Sequence, residues 1–355
     1  MMIAFYEPDS MPLRNRLLQY GFIERRCGPP NSAGQGRDSK GKLMFKDSNI
    51  NSNEISLWYV HGLMTFAFLL IATSFIVMGE IAGEMDASVL TLMRFGVAAI
   101  LLYPIVIFRR LQMPALNALS KYAVLGLLQA VYFNAMFEAL RFTTSVNAAT
   151  LFTAVPFVSA ALAFIFLRER LNSRLISALF LSFVGAIWVI MEGNIDNLLN
   201  MRFNKGDAIF FISVLAFGLY TPMINRFYDG EPMLLMTFWT IVSGFVWLLL
   251  FANIRIIDVA WSSIPTHVYL GICYLAVFTT IVTFFITQFC SVIIGPTKMV
   301  AYTYLTPSFV LLITWTIGDR QISNYILIGV TLTLVSSFML HWDKRWWPVS
   351  DDSEN

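Results

Sequence analysis

From Leu57 onward the chain is a succession of apolar stretches, each about twenty residues long and divided by short polar breaks. A helix of ~20 residues is long enough to cross the ~30 Å hydrocarbon core of a bilayer. Inside hydrocarbon every backbone N–H and C=O must find its partner within the chain, which leaves helices or a closed barrel. A barrel strand alternates apolar and polar residues over ~10 positions. Runs such as Val97–Phe108 and Ala160–Leu167 are apolar on every side, so the pattern predicts helices. Ten spans follow from it, at 58–78, 88–108, 120–140, 145–167, 174–192, 207–226, 233–252, 267–289, 295–317 and 324–341. The expected fold is an all-α polytopic membrane protein with ten transmembrane helices.

The charge distribution agrees. Charged residues make up 13% of the 355 residues, about half the ~25% of a soluble domain. With 57% apolar residues, the composition excludes an ordinary cytosolic enzyme. Residues 1–57 carry eight Lys/Arg and six Asp/Glu, which accounts for the whole net charge of +2. So small a charge gives no electrostatic footprint for nucleic acid. The segment is rich in Gly, Pro, Ser and Asn and lacks apolar periodicity. It reads as a disordered tail, with Met11 and Met44 as alternative starts and no apolar core of a signal peptide. Cys27, Cys273 and Cys290 form no paired motif, and His61, His267 and His341 are scattered. No metal site, cofactor loop or nucleophile motif is visible.

Lys/Arg bias sets the expected orientation. With the N-terminus inside, the tails and inner loops hold seventeen cations and the outer loops five: Arg141, Arg202, Lys205, Arg255 and Arg320. Both termini are therefore expected in the cytoplasm. The loops after residue 57 are too short for an extramembrane catalytic domain.

The chain also matches itself at an offset of 151 residues. Pro156 falls on Pro307, and the turn Glu169–Ser173 falls on Arg320–Asn324. The small-residue stripe Ala178, Ser182, Ala186 falls on Gly329, Thr333, Ser337. Each stripe lies on one helix face and permits close helix approach. Five spans per copy is an odd number, so the second copy must enter the membrane upside down. Inverted repeats are a common architecture of secondary transporters, with the site between the halves. The expected organisation is a cytoplasmic tail at 1–57, a five-helix repeat at 58–192, a linker at 193–206, an inverted five-helix repeat at 207–342 and a C-terminal tail at 343–355.

Several local motifs carry a family resemblance. They are Leu92-Met93-Arg94-Phe95, Ala139-Leu140-Arg141-Phe142-Thr143, Val155-Pro156 and Phe166-Leu167-Arg168-Glu169-Arg170-Leu171, followed in the second copy by Gly295-Pro296-Thr297 and Leu305-Thr306-Pro307. In order and spacing they resemble the drug/metabolite transporter superfamily, and within it the EamA-type ten-span transporters, over about residues 57–342. Two places depart from the pattern: Gly318-Asp319-Arg320 carries its acid one position early, and Ala72-Thr73 stands where Trp-Gly is common. The resemblance implies export or exchange of small metabolites across the cell membrane, most naturally a bacterial inner membrane.

Polar residues in spans cost insertion energy, roughly 2.5–3.5 kcal/mol for a charge at the centre, so they are the candidates for contact with cargo. Lys298 lies near the expected inner end of span nine and either snorkels to headgroups or lines the inner mouth of a cavity, with Tyr302 one turn on. Glu138 shares a face with Asn134 and Arg141 near the outer end of span three; it either pairs with Arg141 or faces the cavity. Gln129 lies deeper on another face of the same helix. Arg94 is read as pairing structurally with Glu80, Glu84 or Asp86. Asn147 and Thr150 share a face of span four. Thr279, Thr283 and Thr287 form a stripe in span eight beside Gln288. Tyr220 precedes Pro222 in span six, and Thr73 and Ser74 lie late in span one.

These features predict a secondary transporter of a small-molecule substrate, amino-acid-like because both charge signs occur near cavity positions. Phosphorylated cargo such as nucleotide sugars would call for several inward Arg/Lys and is the alternative. A non-transporting membrane scaffold or sensor is the alternative of another class, and a homodimer is left open.

Overall fold

The computed structural model describes residues 57–111, 114, 116–167, 173–190, 204–252, 256–257, 259–317 and 331. Both tails, most of the linker and all of the predicted tenth span but Thr331 lie outside the described residues. So do the side chains of Ala178, Ser182 and Ala186, and with them both small-residue stripes.

All regular structure among the described residues is helical. The elements are α1 (Leu57–Ile81), α2 (Ala87–Phe108), α3 (Leu116–Leu140), α4 (Ser145–Phe152), α5 (Val155–Leu167), α6 (Ser173–Ile190), α7 (Lys205–Phe227), α8 (Met233–Ala252), α9 (Thr266–Ala276), α10 (Thr283–Ile294), α11 (Pro296–Ala301) and α12 (Thr306–Thr316). A π-helical turn, Val277–Val282, joins α9 to α10, and a 3-10 turn, Tyr302–Leu305, joins α11 to α12. Seven continuous segments among the described residues are long and apolar enough to span a bilayer: Trp58–Ile81, Ala87–Phe108, Ala118–Leu140, Lys205–Phe227, Met233–Ala252, Thr266–Ile294 and Pro296–Thr316. The protein is a polytopic α-helical membrane protein. Its outer surface fits that solvent, since Phe108 is 86% and Ile100 72% exposed, as side chains facing acyl chains would be.

Two spans differ from the unbroken helices expected. The fourth breaks at Thr153-Ala154 into α4 and α5, and the ninth passes through the 3-10 turn into α12. The cause is proline in each case. Pro156 and Pro307 lack an N–H and would clash with the preceding turn inside a helix, but they fit the first turn of a new one. Each therefore opens the second half of its span.

Helix ends are capped where polar residues allow. Asp86 accepts a hydrogen bond from Ser88 N at 2.9 Å at the start of α2. Asn204 and Asp207 form a reciprocal capping box on α7. Gly295, at φ +85°, makes the sharp turn between α10 and α11, a conformation that glycine adopts without penalty.

The halves interleave. α3 packs on α7 and α8, α8 on α2, α5 on α7, α9 on α2, and α10 and α12 on α1. The α3–α8 crossing is close: a Cβ on Gly126 would lie 2.5 Å from Gly244 N. Between lipid-bathed helices such close approach supplies dispersion contacts that apolar burial alone cannot. Side-chain donors stitch the same crossing, with Ser243 Oγ donating to Tyr122 O at 2.9 Å and Trp247 Nε1 to Ala123 O at 3.0 Å.

At one end of the bundle Lys121 pairs with Asp229, and Tyr122 OH donates to Glu231 at 3.0 Å. At the other, Glu138 pairs with Arg141 at 3.0 Å, and Thr143 Oγ1 donates to Asp207 at 2.7 Å. Loops expected on the same side of the membrane thus meet each other.

Candidate functional site

Three spans bring polar side chains to one place in the interior. Ser74 from α1, Gln129 from α3, and Thr279, Thr283 and Thr287 from the π turn and α10 line a cavity. Aromatic rings close it: Tyr132 and Phe133 from α3, Phe217 from α7 and Phe284 from α10. It holds about 20 Å3 for the centres of water-sized molecules, room for one or two waters. The rings pack on one another, Tyr132 against Phe217 at 4.8 Å and Phe133 stacked with Phe284 at 5.9 Å between centroids.

The threonine stripe arises from helical spacing. Residues at i, i+4 and i+8 share a face, and each hydroxyl donates back to a carbonyl of its own helix: Thr283 to Thr279 O at 3.0 Å, Thr287 to Thr283 O at 2.7 Å. The Thr283 and Thr287 oxygens keep lone pairs to offer the cavity that they line. Ser74 does the same, donating to Ile71 O at 2.6 Å. Gln129 is 1% exposed and its Oε1 has no hydrogen-bond partner. In a low-dielectric interior, an unpaired acceptor of this kind is costly.

Gln288 and Tyr220 extend the polar core beyond the cavity wall. Gln288 Nε2 donates to Tyr220 OH at 2.9 Å, and Thr237 Oγ1 donates to Gln288 Oε1 at 2.5 Å. Gln129 also approaches the Tyr220 hydroxyl. Both Tyr220 and Gln288 are fully buried.

Arg94 corrects the expectation of an acid pair. Asp86 serves as the helix cap, Glu80 and Glu84 are exposed, and the guanidinium lies two turns farther into the membrane, 0% exposed. Its Nε donates to Thr280 Oγ1 at 2.5 Å, and Nη2 donates to Thr279 O at 2.6 Å and to Thr279 Oγ1 at 2.9 Å. Nη1 faces Met78 Sδ at 3.4 Å, and the group sits 3.8 Å above the centre of the Phe133 ring. The π turn creates this arrangement. Its wider loop leaves carbonyls off the regular ladder, and both Thr279 and Thr280 hydroxyls donate to Leu275 O, at 3.0 and 2.9 Å. Their oxygens then turn lone pairs toward Arg94.

Other predicted residues lie elsewhere. Tyr302 is buried against α1, in a 2.5 Å hydrogen bond with His61 Nδ1 and stacked near Phe68. Lys298 is half-buried on α11 near it. Glu138 is engaged with Arg141 at the rim. Asn134 is half-buried one turn from Glu138, its Oδ1 without a partner. Asn147 is half-buried at the start of α4, where its N–H donates to Thr144 Oγ1 at 3.2 Å; the Thr150 side chain lies outside the described residues. The sequence allows an aromatic-lined cavity but singles out none of its rings, because one phenylalanine among 31, or one tyrosine among 13, carries no positional signal.

A second cleft lies at the rim by the start of α3. It measures about 330 Å3 and is lined by Lys121, Tyr122, Phe227, Asp229 and Glu231.

Comparison with known proteins decides the family. The EamA-like transporter family matches residues 58–191 and 204–342. The chain belongs to the EamA-like transporter family. It is 30% identical over 248 residues to the uncharacterized transporter YyaM of Bacillus subtilis, covering 68% of this chain and 80% of that one. It is 24% identical over 285 residues to an uncharacterized transporter of Archaeoglobus fulgidus, covering 79% of this chain and 96% of the relative. A solved crystal structure shares the fold, with TM-score 0.60 and 15% identity over 78% of this chain and 95% of that one. As an EamA-like protein the chain is a multi-pass membrane transporter and not an enzyme.

Proposed function

We propose that this transporter moves small polar, amino-acid-like metabolites by alternating access around the cavity between α1, α3, α7 and α10. The observation that carries the reading is the cavity itself. Hydroxyls, one unpartnered amide oxygen and four aromatic rings converge there from both halves of the chain. In a span, such groups are costly unless they serve cargo or bond a neighbour.

The proposed architecture is two inverted five-helix repeats with both termini in the cytoplasm. The packing supports it, because contacts pair up when the halves are exchanged. α3 on α7 has its counterpart in α10 on α1, and α5 on α7 in α12 on α1. The breaks before Pro156 and Pro307 add to the correspondence. In this scheme rocking one half against the other exposes the cavity alternately to the two sides. The rim cleft beside Lys121 and Glu231 is the inner vestibule.

Untargeted metabolomics of the medium from cells that overproduce or lack the protein tests this. The expected result is a small set of polar solutes that rises with overproduction and falls on deletion. Media indistinguishable in all solutes would overturn the transport of such metabolites.

A further inference from the structure

We infer that Arg94, held at the π turn by Thr279 and Thr280, is the anion anchor of the transport site and takes the carboxylate of the cargo. The inference rests on the transport reading above and names the group that the cargo must carry.

Arg94 is a buried cation whose acceptors are all neutral: two hydroxyls, one carbonyl and a thioether. Among the described residues no carboxylate reaches it. A guanidinium taken out of water is expensive unless an anion or a full set of strong acceptors repays the loss. Nη1 has only a thioether, which is a weak acceptor. A purely structural arginine would ordinarily be matched by an acid, and this chain places its nearby acids in the exposed turn instead.

The anchor adjoins the cavity. Phe133 and Thr279 both line it, and both touch the guanidinium. The charge therefore lies one side chain behind the wall. The π turn is the movable part of that wall, since a single wide turn in a long helix can convert to regular helix by shifting one register of hydrogen bonds. Losing it would withdraw the Thr279 carbonyl from Arg94. A carboxylate entering the cavity would replace that carbonyl with a charge-assisted, bidentate pair. Across the cavity, the unpartnered Gln129 Oε1 accepts from an N–H of the same cargo. An acid at one end and an amine or amide at the other is what these two groups jointly select.

Thermal unfolding of the purified full chain in detergent tests this with four matched probes at millimolar concentration: L-leucine, leucinamide, isoamylamine and isocaproate, and the same set built on L-phenylalanine. The amino acid should raise Tm most, the acid without the amine less, and the amide and amine not at all. Arg94→Gln should weaken binding of the amino acid by roughly thirtyfold or more, as removal of one member of a buried charge pair does. Arg94→Lys, which keeps the charge without the fork, should restore part of it. If Arg94→Gln does not fold, the wild-type comparison of acid against amide still decides. Amides or amines that stabilise as well as the acids, or no response to any acid, would overturn the anchor. Its failure is distinct from failure of the transport reading. Excretion of solutes lacking an acidic group would remove the anchor and leave transport standing, whereas unchanged media would remove transport itself.

Discussion

The rims of the bundle and its centre treat charge in opposite ways. At the rims Lys121–Asp229 and Glu138–Arg141 pair cation with acid, and their side chains are 30–70% exposed. Such pairs are worth about 0–1 kcal/mol each, because water and salt already screen them. At the centre Arg94 is 0% exposed, and among the described residues its partners are hydroxyls, a carbonyl, a thioether and a ring. The rim charges need only be soluble in headgroups, so their pairing is a local convenience. The central charge has been brought to a place where it is costly, beside the cavity whose Gln129 oxygen is likewise unmatched. The contrast is one of cost: a rim pair is nearly neutral, whereas a buried cation with neutral partners must be supported by the packing around it.

The sharpest way to break the contrast is to neutralise each kind of charge. Arg94→Gln should reduce flux per folded protein by roughly thirtyfold or more. Glu138→Gln should leave it within about twofold, since it costs no more than an exposed pair. Equal losses from both would mean that burial does not separate the two regions. Next in size is a packing test. Gly126→Val forces a side chain into the Gly244 backbone at the α3–α8 crossing and should cost roughly 1–3 kcal/mol of stability, as overpacking does. Its solute preference should be unchanged in the protein that folds; an unaltered Tm would show that the crossing is looser than described. The smallest effect belongs to the rim cap. Asp207→Ala removes half of the capping box on α7 and should lower stability by about 1 kcal/mol, readable as a small Tm shift with flux retained. Abolished flux would move Asp207 from the rim into the transport machinery.

The fold was largely legible because the bilayer imposes a simple rule: a long apolar run must be a helix. The breaks in two spans were less legible. A proline in the middle of an apolar run is the same letter whether it kinks one helix or opens a second, and only the packing of α5 and α12 decides. Ser74, Gln129 and Thr283 were readable as cavity residues, because a polar group in a span needs a reason. Arg94 was read against the wrong partners. Its true partners are 185 and 186 residues away, and sequence proximity to Glu80, Glu84 and Asp86 outweighed them. The π turn had no sequence signal beyond the two adjacent threonines that it turns toward Arg94.

The most direct test of the central claim is mixed-disulfide labelling at position 74, a cavity residue with no role in helix capping. In a protein with Cys27, Cys273 and Cys290 changed to serine, Ser74→Cys should react with a methanethiosulfonate reagent during turnover and lose flux of the excreted solutes as it is labelled. Glu84→Cys, in the exposed turn after α1, should be labelled without loss. Full flux through a protein completely labelled at position 74 would contradict a transport path through this cavity.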